Sequence, residues 1–229
     1  LSGRARADFD YCRKLAENAA SVLDLGCGTG ELAAILAPGR AITAIDPAAA
    51  MLEIARARPG GDQVTWLEAD ARSVRLGTHF DLVLLTGHAF QCFLTRAEQQ
   101  AVLSTIAAHL EPNGRFIFDS RNPSFPGRKE RNKEETVQTI QHPELGQIEA
   151  WNMSIYDKST NILSYTNSYR VRSTGDLHSA SAQIRYTTQK ELAVLLERAG
   201  LGVDQWLGDW QGSHFSATAK EIIPAGRLR

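Results

Sequence analysis

A run of the form D-x-G-x-G-x-G, made by Asp24, Gly26, Gly28 and Gly30, stands between an apolar stretch at residues 21–26 (SVLDLG) and a helical pattern carrying Leu32, Ala33, Ile35 and Leu36. A side chain at these glycines would oppose a left-handed backbone or block the close approach of a ligand, and the helix start that follows presents free N–H groups. Buried strand, glycine turn and helix in that order open a nucleoside-binding α/β unit.

The pattern continues downstream. Residues 41–46 (AITAID), 64–70 (VTWLEAD) and 80–86 (FDLVLLT) are predicted strands, and Met51, Ile54, Ala55 and Arg58 space as a helix between the first two of these. This βαβαβ rhythm demands a parallel sheet with helices on both faces. Thr95 with Glu98 and Thr188 with Glu191 are capping boxes. The first opens a helix along Val102, Leu103, Ile106 and Leu110, and the second one along Leu192, Leu195 and Leu196 that stops at Gly200. Pro112, Asn113 and Gly114 predict a turn into a fifth strand, GRFIFDS, and residues 201–207 and 220–226 read as two more.

From 121 to 186 the period changes to two. Trp151, Met153 and Ile155 alternate with polar neighbours, as do Leu163, Tyr165, Tyr169 and Val171, and then Ala180, Ala182, Ile184 and Tyr186. These predict antiparallel strands with turns at 157–161 and 173–176, preceded by a charged loop at 123–135.

At 229 residues with 43% apolar and 22% charged, the chain has the composition of a globular protein with a sizeable core. Its 25 basic and 26 acidic side chains lack the cationic excess of a protein held by phosphates, so nucleic acid is not the expected partner. Cys12, Cys27 and Cys92 form neither a disulfide framework nor a CxxC zinc site, which favours a reducing cytoplasm. No run of 18 apolar residues exists, and residues 1–10 are charged where a signal peptide is apolar; the expectation is a cytoplasmic protein with no membrane partner.

Spacing narrows the ligand. A dinucleotide fingerprint wants glycine where Glu31 stands, and no Gly-Lys-Ser or Gly-Lys-Thr of a P-loop follows. Asp46 ends the second strand, 20 residues after Gly26, where a carboxylate can accept both hydroxyls of a ribose diol. Asp70 ends the third, where it can accept from the exocyclic amine of adenine.

With these residues the sequence resembles the class I S-adenosylmethionine-dependent methyltransferases: VLDLGCGTGELA at 22–33, AIDPAAAMLEIA at 44–55, LEADA at 67–71, FDLVL at 80–84 and LEPNGRFIFD at 110–119 carry the likeness. It is strong over 21–120, in keeping with the family over 187–229, and weak between. The resemblance implies a Rossmann-like, doubly wound α/β fold with a seven-stranded, mostly parallel sheet and an antiparallel last strand. It implies S-adenosyl-L-methionine as cofactor and S-adenosyl-L-homocysteine as product. Asp24 and the loop of Gly26, Cys27, Gly28 and Gly30 would lie near the methionine portion, Asp46 and Pro47 at the ribose, Met51 near the nucleoside, and Asp70 with Ala71 at adenine. Pro47 replaces the more usual serine.

Methyl transfer from a sulfonium is an in-line displacement that needs alignment and exclusion of water but no metal or covalent nucleophile. Thr86, Gly87, His88, Ala89, Phe90 and Gln91 end the fourth strand at the edge where the methyl group is presented. Thr86 is assigned to the cofactor, and His88 is the candidate general base or hydrogen-bond orienter. The other histidines form no cluster, and no metal is expected. The segment T-G-H-A-F-Q replaces the Asn/Asp-Pro-Pro-aromatic motif of related amino-methylating nucleic-acid enzymes, which favours a small-molecule acceptor.

The expected organisation is a methyltransferase core, 1–120 and 187–229, with an antiparallel β insert, 121–186, covering the acceptor site. Trp151, Tyr165, Tyr169, Tyr186 or Trp210 would wall that site or simply pack the insert. Arg4 and Tyr11, in the N-terminal helix-like stretch, could close over the cofactor carboxylate, but their spacing does not establish it and they stand outside the assigned site. The expected assembly is a monomer or homodimer. Two other readings compete: a catalytically silent S-adenosylmethionine- or S-adenosylhomocysteine-binding module, and a nicotinamide-dependent oxidoreductase, against which Glu31 argues.

Overall fold

Along a buried strand, successive side chains point to opposite faces, so an unbroken apolar strand must be covered on both sides. The computed structural model describes residues 6–126 and 130–229, and the chain divides into two units, residues 1–125 with 187–229 and residues 126–186. The first unit follows this rule closely. Helix α1 (Ala7–Leu15) precedes β1 (Ser21–Leu25), α2 (Glu31–Leu36), β2 (Ala41–Asp46), α3 (Ala49–Ala57), β3 (Val64–Glu68) and β4 (Phe80–Leu85). Helix α4 (Arg96–Ala108), β5 (Leu110–Phe118) and the two-residue β6 (Ser120–Arg121) follow.

The second unit holds α5 (Lys133–Thr136), β7 (Gln138–His142), β8 (Gly146–Asp157), β9 (Ile162–Val171) and β10 (Leu177–Arg185). The chain then returns to the first unit with α6 (Gln189–Arg198), β11 (Leu201–Leu207) and β12 (Glu221–Leu228).

In the first unit the strand order is β3-β2-β1-β4-β5-β12-β11, with β6 pairing the start of β12. Strands β1 to β5 pair in parallel and β12 runs against both its neighbours. Leu23, Leu25, Val83 and Leu85 pack on one side with Val102, Leu103 and Ile106 of α4 and Leu192, Leu195 and Leu196 of α6. The intervening Val22, Leu82 and Leu84 pack on the other with Phe9 and Cys12 of α1 and Leu32, Ala33 and Leu36 of α2. Asp81 pins the strand starts together: its Oδ2 accepts from the amides of Ala20 and Ser21 at 2.8 and 2.9 Å.

Both capping boxes form, with Thr95 and Thr188 accepting from the amides of Glu98 and Glu191 and each glutamate reaching back. Gly200, at φ 74°, ends α6 in the left-handed region. Three local expectations change. Helix α3 buries Leu52 and Ala55, while Met51 and Ile54 are exposed, because the helix begins at Ala49 and turns that face outward. Ile35 is also exposed. Pro112, Asn113 and Gly114 do not separate helix from strand; they form a bulge within β5, whose register with β4 jumps from Phe80–Leu110 to Leu82–Arg115.

The second unit is one antiparallel sheet in the order β10-β9-β8-β7. Strand β7 was not expected, since QTIQH offers one apolar side chain. Met153 and Ile155 lie on the exposed face, and Ile148, Ala150 and Ser154 on the buried one. Tyr186 packs with Leu163 and Ile184, meeting Tyr156 edge to face at 5.6 Å, and Tyr165 joins them. Trp151 lies under Lys133 Nζ at 4.1 Å. These aromatics pack their own sheet. Among the described residues no helix is long and apolar enough to cross a membrane.

Candidate active site

The carboxyl ends of parallel strands converge where chain reversals leave a crevice. There the first unit opens a cavity of about 730 Å³, and Asp24, Gly26, Cys27, Gly28, Asp46, Pro47, Asp70, Ala71 and Thr86 all line it. Nine of the sequence-derived candidates thus meet around one space. Gly87, Ala89, Cys92 and Phe93 continue the wall beyond β4, and Phe9 of α1 with Arg6, which precedes that helix, closes another side. Phe90 and Gln91 are instead fully buried supports: Phe90 stacks on Phe118 at 4.6 Å, and Gln91 Oε1 accepts from the Arg121 guanidinium at 3.0 Å.

The glycine loop leaves β1 with Gly26, Gly28 and Gly30 all at positive φ. The amides of Gly26 and Cys27 donate to Ile45 O at 2.8 and 3.0 Å, so the loop hangs from β2. Gly28 donates to Asp46 Oδ2 at 2.8 Å, and Ala48 to Asp46 Oδ1 at 2.9 Å. Each oxygen retains a lone pair for a further donor. A Cβ on Gly28 would meet nothing within 4 Å, so the loop faces open space there.

Gly30 has another reason to be glycine. A Cβ there would run into the Trp66 ring and lie 2.8 Å from Ala55 Cβ, and Gly30 does not line the cavity. Met51 is also absent from the wall, being exposed on α3.

Burial, and then the charge of Asp46, push the Asp24 carboxyl up to about 7. Asp70 stays well below its ordinary value because Arg72 hydrogen-bonds it, with Nη2 at 2.6 Å from Oδ2. Arg72 also pairs with Glu98, the capping residue of α4. The open Gly28 cradle, the spare lone pairs of Asp46, the Asp70 carboxylate and the apolar Ala71, Leu85 and Phe93 fit an adenosine with a charged tail.

His88 does not line the cavity, although its neighbours Gly87 and Ala89 do. Its Nε2 lies 2.9 Å from Glu221 Oε2 and 3.4 Å from Asp119 Oδ2, and its amide donates to Asp119 Oδ1 at 3.0 Å. Burial pushes Asp119 up to about 6, against the pull of His88. These three side chains offer ligand atoms within 4.8 Å of one another, a donor set of a kind that can hold a divalent cation. A search for histidine clusters misses it because two of its members are carboxylates. Asp119 was legible as another acid at a strand tip; Glu221 needed the antiparallel β12, which brings its first residue to the same edge.

Tyr11 packs edge to face on Trp210 at 5.8 Å and is not part of the wall, and Arg4 lies outside the described residues. His109 is structural: Nδ1 donates to Thr105 O at 2.7 Å and Nε2 accepts from the Leu76 amide at 3.0 Å.

Residues 22–114 match the methyltransferase domain family. The chain is 25% identical over 204 residues to a cypemycin N-terminal methyltransferase from a Streptomyces species, a match that covers 89% of this chain and 81% of that one. It is 33% identical over 103 residues to malonyl-[acyl-carrier protein] O-methyltransferase from Anoxybacillus flavithermus, covering 44% of this chain and only 38% of the relative. The fold is that of the CcbJ methyltransferase from Streptomyces caelestis, with TM-score 0.83 and 23% identity over 100% of this chain and 99% of that one. The domain match, the methyltransferase relatives and the shared fold together support a class I S-adenosylmethionine-dependent methyltransferase with S-adenosylmethionine as cofactor.

Proposed function

We propose that this enzyme methylates an amine nitrogen of a small molecule, with His88 as the proton acceptor. One observation carries the choice of nitrogen. Asp119 and Glu221 are both buried, and among the described residues their ion pairs go to His88 alone. Two such carboxylates beside the cavity loop favour a cationic acceptor, and an ammonium is the cation that becomes a nucleophile on losing a proton. The relative matched over most of its length has a name that puts methylation at an N-terminus.

The bound cofactor supplies an electrophilic methyl group and leaves as S-adenosyl-L-homocysteine. The chain's residues do the rest. Asp46 and Asp70 hold the ribose and adenine, and the loop amides with Asp24 hold the charged tail. Ala71, Leu85 and Phe93 keep water from the reacting atoms. His88 takes the proton that exposes the nitrogen lone pair, which would then face the methyl group that the cofactor supplies.

The test is methyl transfer from labelled cofactor to paired acceptors that differ only in carrying an amine or a hydroxyl. Transfer to amines, lowered at least tenfold in kcat by His88→Gln with cofactor affinity unchanged, is expected. Transfer to hydroxyls alone would overturn the reading.

A further inference from the structure

We propose that Glu221 and Asp119 are positioning residues that fix His88 in the tautomer protonated at Nε2, so that Nδ1 is the atom that accepts the proton. The inference rests on the assignment of His88 above and adds which nitrogen acts and what sets it.

An ionised carboxylate can only accept. Nε2 makes its hydrogen bond to the Glu221 carboxylate at 2.9 Å, with the Asp119 carboxylate 3.4 Å away, so the proton in that bond belongs to the ring. A neutral imidazole carries one N–H, and Nδ1 is left with its lone pair. Nδ1 makes no hydrogen bond among the described residues, and the side chain is a quarter exposed. His109 shows the contrast: both its nitrogens are used and it is buried.

The backbone is shaped for this pose. Gly87 and His88 are successive left-handed residues at φ 70° and 64°, and His88 is one of two non-glycine residues with positive φ among those described. Such a conformation in a non-glycine residue persists only where its surroundings impose it. Asp119 imposes it here, holding the His88 amide with one oxygen and facing the ring with the other.

Glu221 arrives from the start of β12, opposite Arg121 of β6. The Arg121 guanidinium is bonded to Gln91, which leaves the Glu221 carboxylate to the histidine. Asp8 of α1 and Arg6 just before it also act on Asp119, and they pair with each other. Lys220 beside Glu221 is exposed. The two carboxylates therefore do for His88 what an acid partner does in any carboxylate–imidazole pair: they select the tautomer and hold the ring in place.

The experiment is long-range 1H–15N NMR on the 15N-labelled full chain, with the His88 signals assigned by their loss in His88→Gln. It is combined with pH profiles of kcat for the wild type, Glu221→Gln and Glu221→Leu. The expected wild-type signal is that of the Nε2–H tautomer. Glu221→Gln keeps an acceptor oxygen, so it should keep the tautomer and lower kcat less than Glu221→Leu does, with KM within twofold. Glu221→Leu should mix the tautomers and lower kcat about tenfold.

An Nδ1–H wild type, or a Glu221→Leu protein that keeps the wild-type tautomer unmixed, would overturn the proposal. So would stoichiometric uptake of added Zn2+ or Mn2+ by the three residues, since a metal on Nε2 replaces the proton. If the NMR result holds while His88→Gln keeps full turnover, the tautomer lock stands and the proton-acceptor role fails.

Discussion

The amide of Gly28 donates to Asp46 Oδ2 at 2.8 Å, and this bond ties the glycine loop to the tip of β2. The two motifs read separately along the chain are thus one object, in which the carboxylate orders the loop while retaining capacity for a further donor.

Two glycines of that loop should fail in different ways. Gly28→Val places its side chain in the open cavity, so S-adenosylmethionine should bind at least tenfold more weakly, while stability falls by only the roughly 1–2 kcal/mol of a left-handed L-residue. Gly30→Ala collides with Trp66 and Ala55, so it should cost roughly 2–4 kcal/mol from that cost plus overpacking. Calorimetric titration beside urea denaturation separates the two, and a Gly30→Ala protein as stable as wild type would contradict the packing account.

Asp24 predicts a stability slope. Its carboxyl is raised to about 7 by burial and by Asp46, so between the unfolded value near 4 and about 7 the folded chain holds a proton that the unfolded chain has released. Its contribution is therefore greatest below pH about 4, is lost as pH rises to about 7, and is level beyond. Asp24→Asn should remove this loss, gaining up to about 4 kcal/mol on the wild type between pH 4 and 8 in urea melts. Parallel profiles for the two proteins would refute the assignment.

The two helix caps offer a paired comparison. Thr95→Ala and Thr188→Ala should each cost about 1 kcal/mol in chemical denaturation. Only Thr95 holds a glutamate that also grips Arg72 and, through it, Asp70 in the cavity wall. Cofactor affinity should fall about twofold in Thr95→Ala and stay constant in Thr188→Ala; equal effects would break the proposed link.

The parallel strands were legible because a strand buried on both faces is a short unbroken apolar run, and the strand tips were legible because Asp46 and Asp70 interrupt such runs. Surfaces with one wet face were less so. Met51, Ile54, Met153 and Ile155 are apolar yet exposed, and periodicity alone cannot say which face turns outward. β7 escaped notice because its residues are polar and its order comes from pairing with β8. Gly30 reads as a ligand glycine in the motif, but its constraint is the Trp66 ring, which arrives from another strand. Glu221 joins His88 from 133 positions away, a contact that only the antiparallel last strand creates.

The most direct test of the site is calorimetric titration of S-adenosylhomocysteine into the wild type and Asp46→Ala. The account predicts one site per chain, weakened about 10- to 100-fold in the variant, as for a lost hydrogen bond to a charged group of roughly 1.5–3 kcal/mol. Equal affinity in the two proteins, or no binding to the wild type, would contradict it.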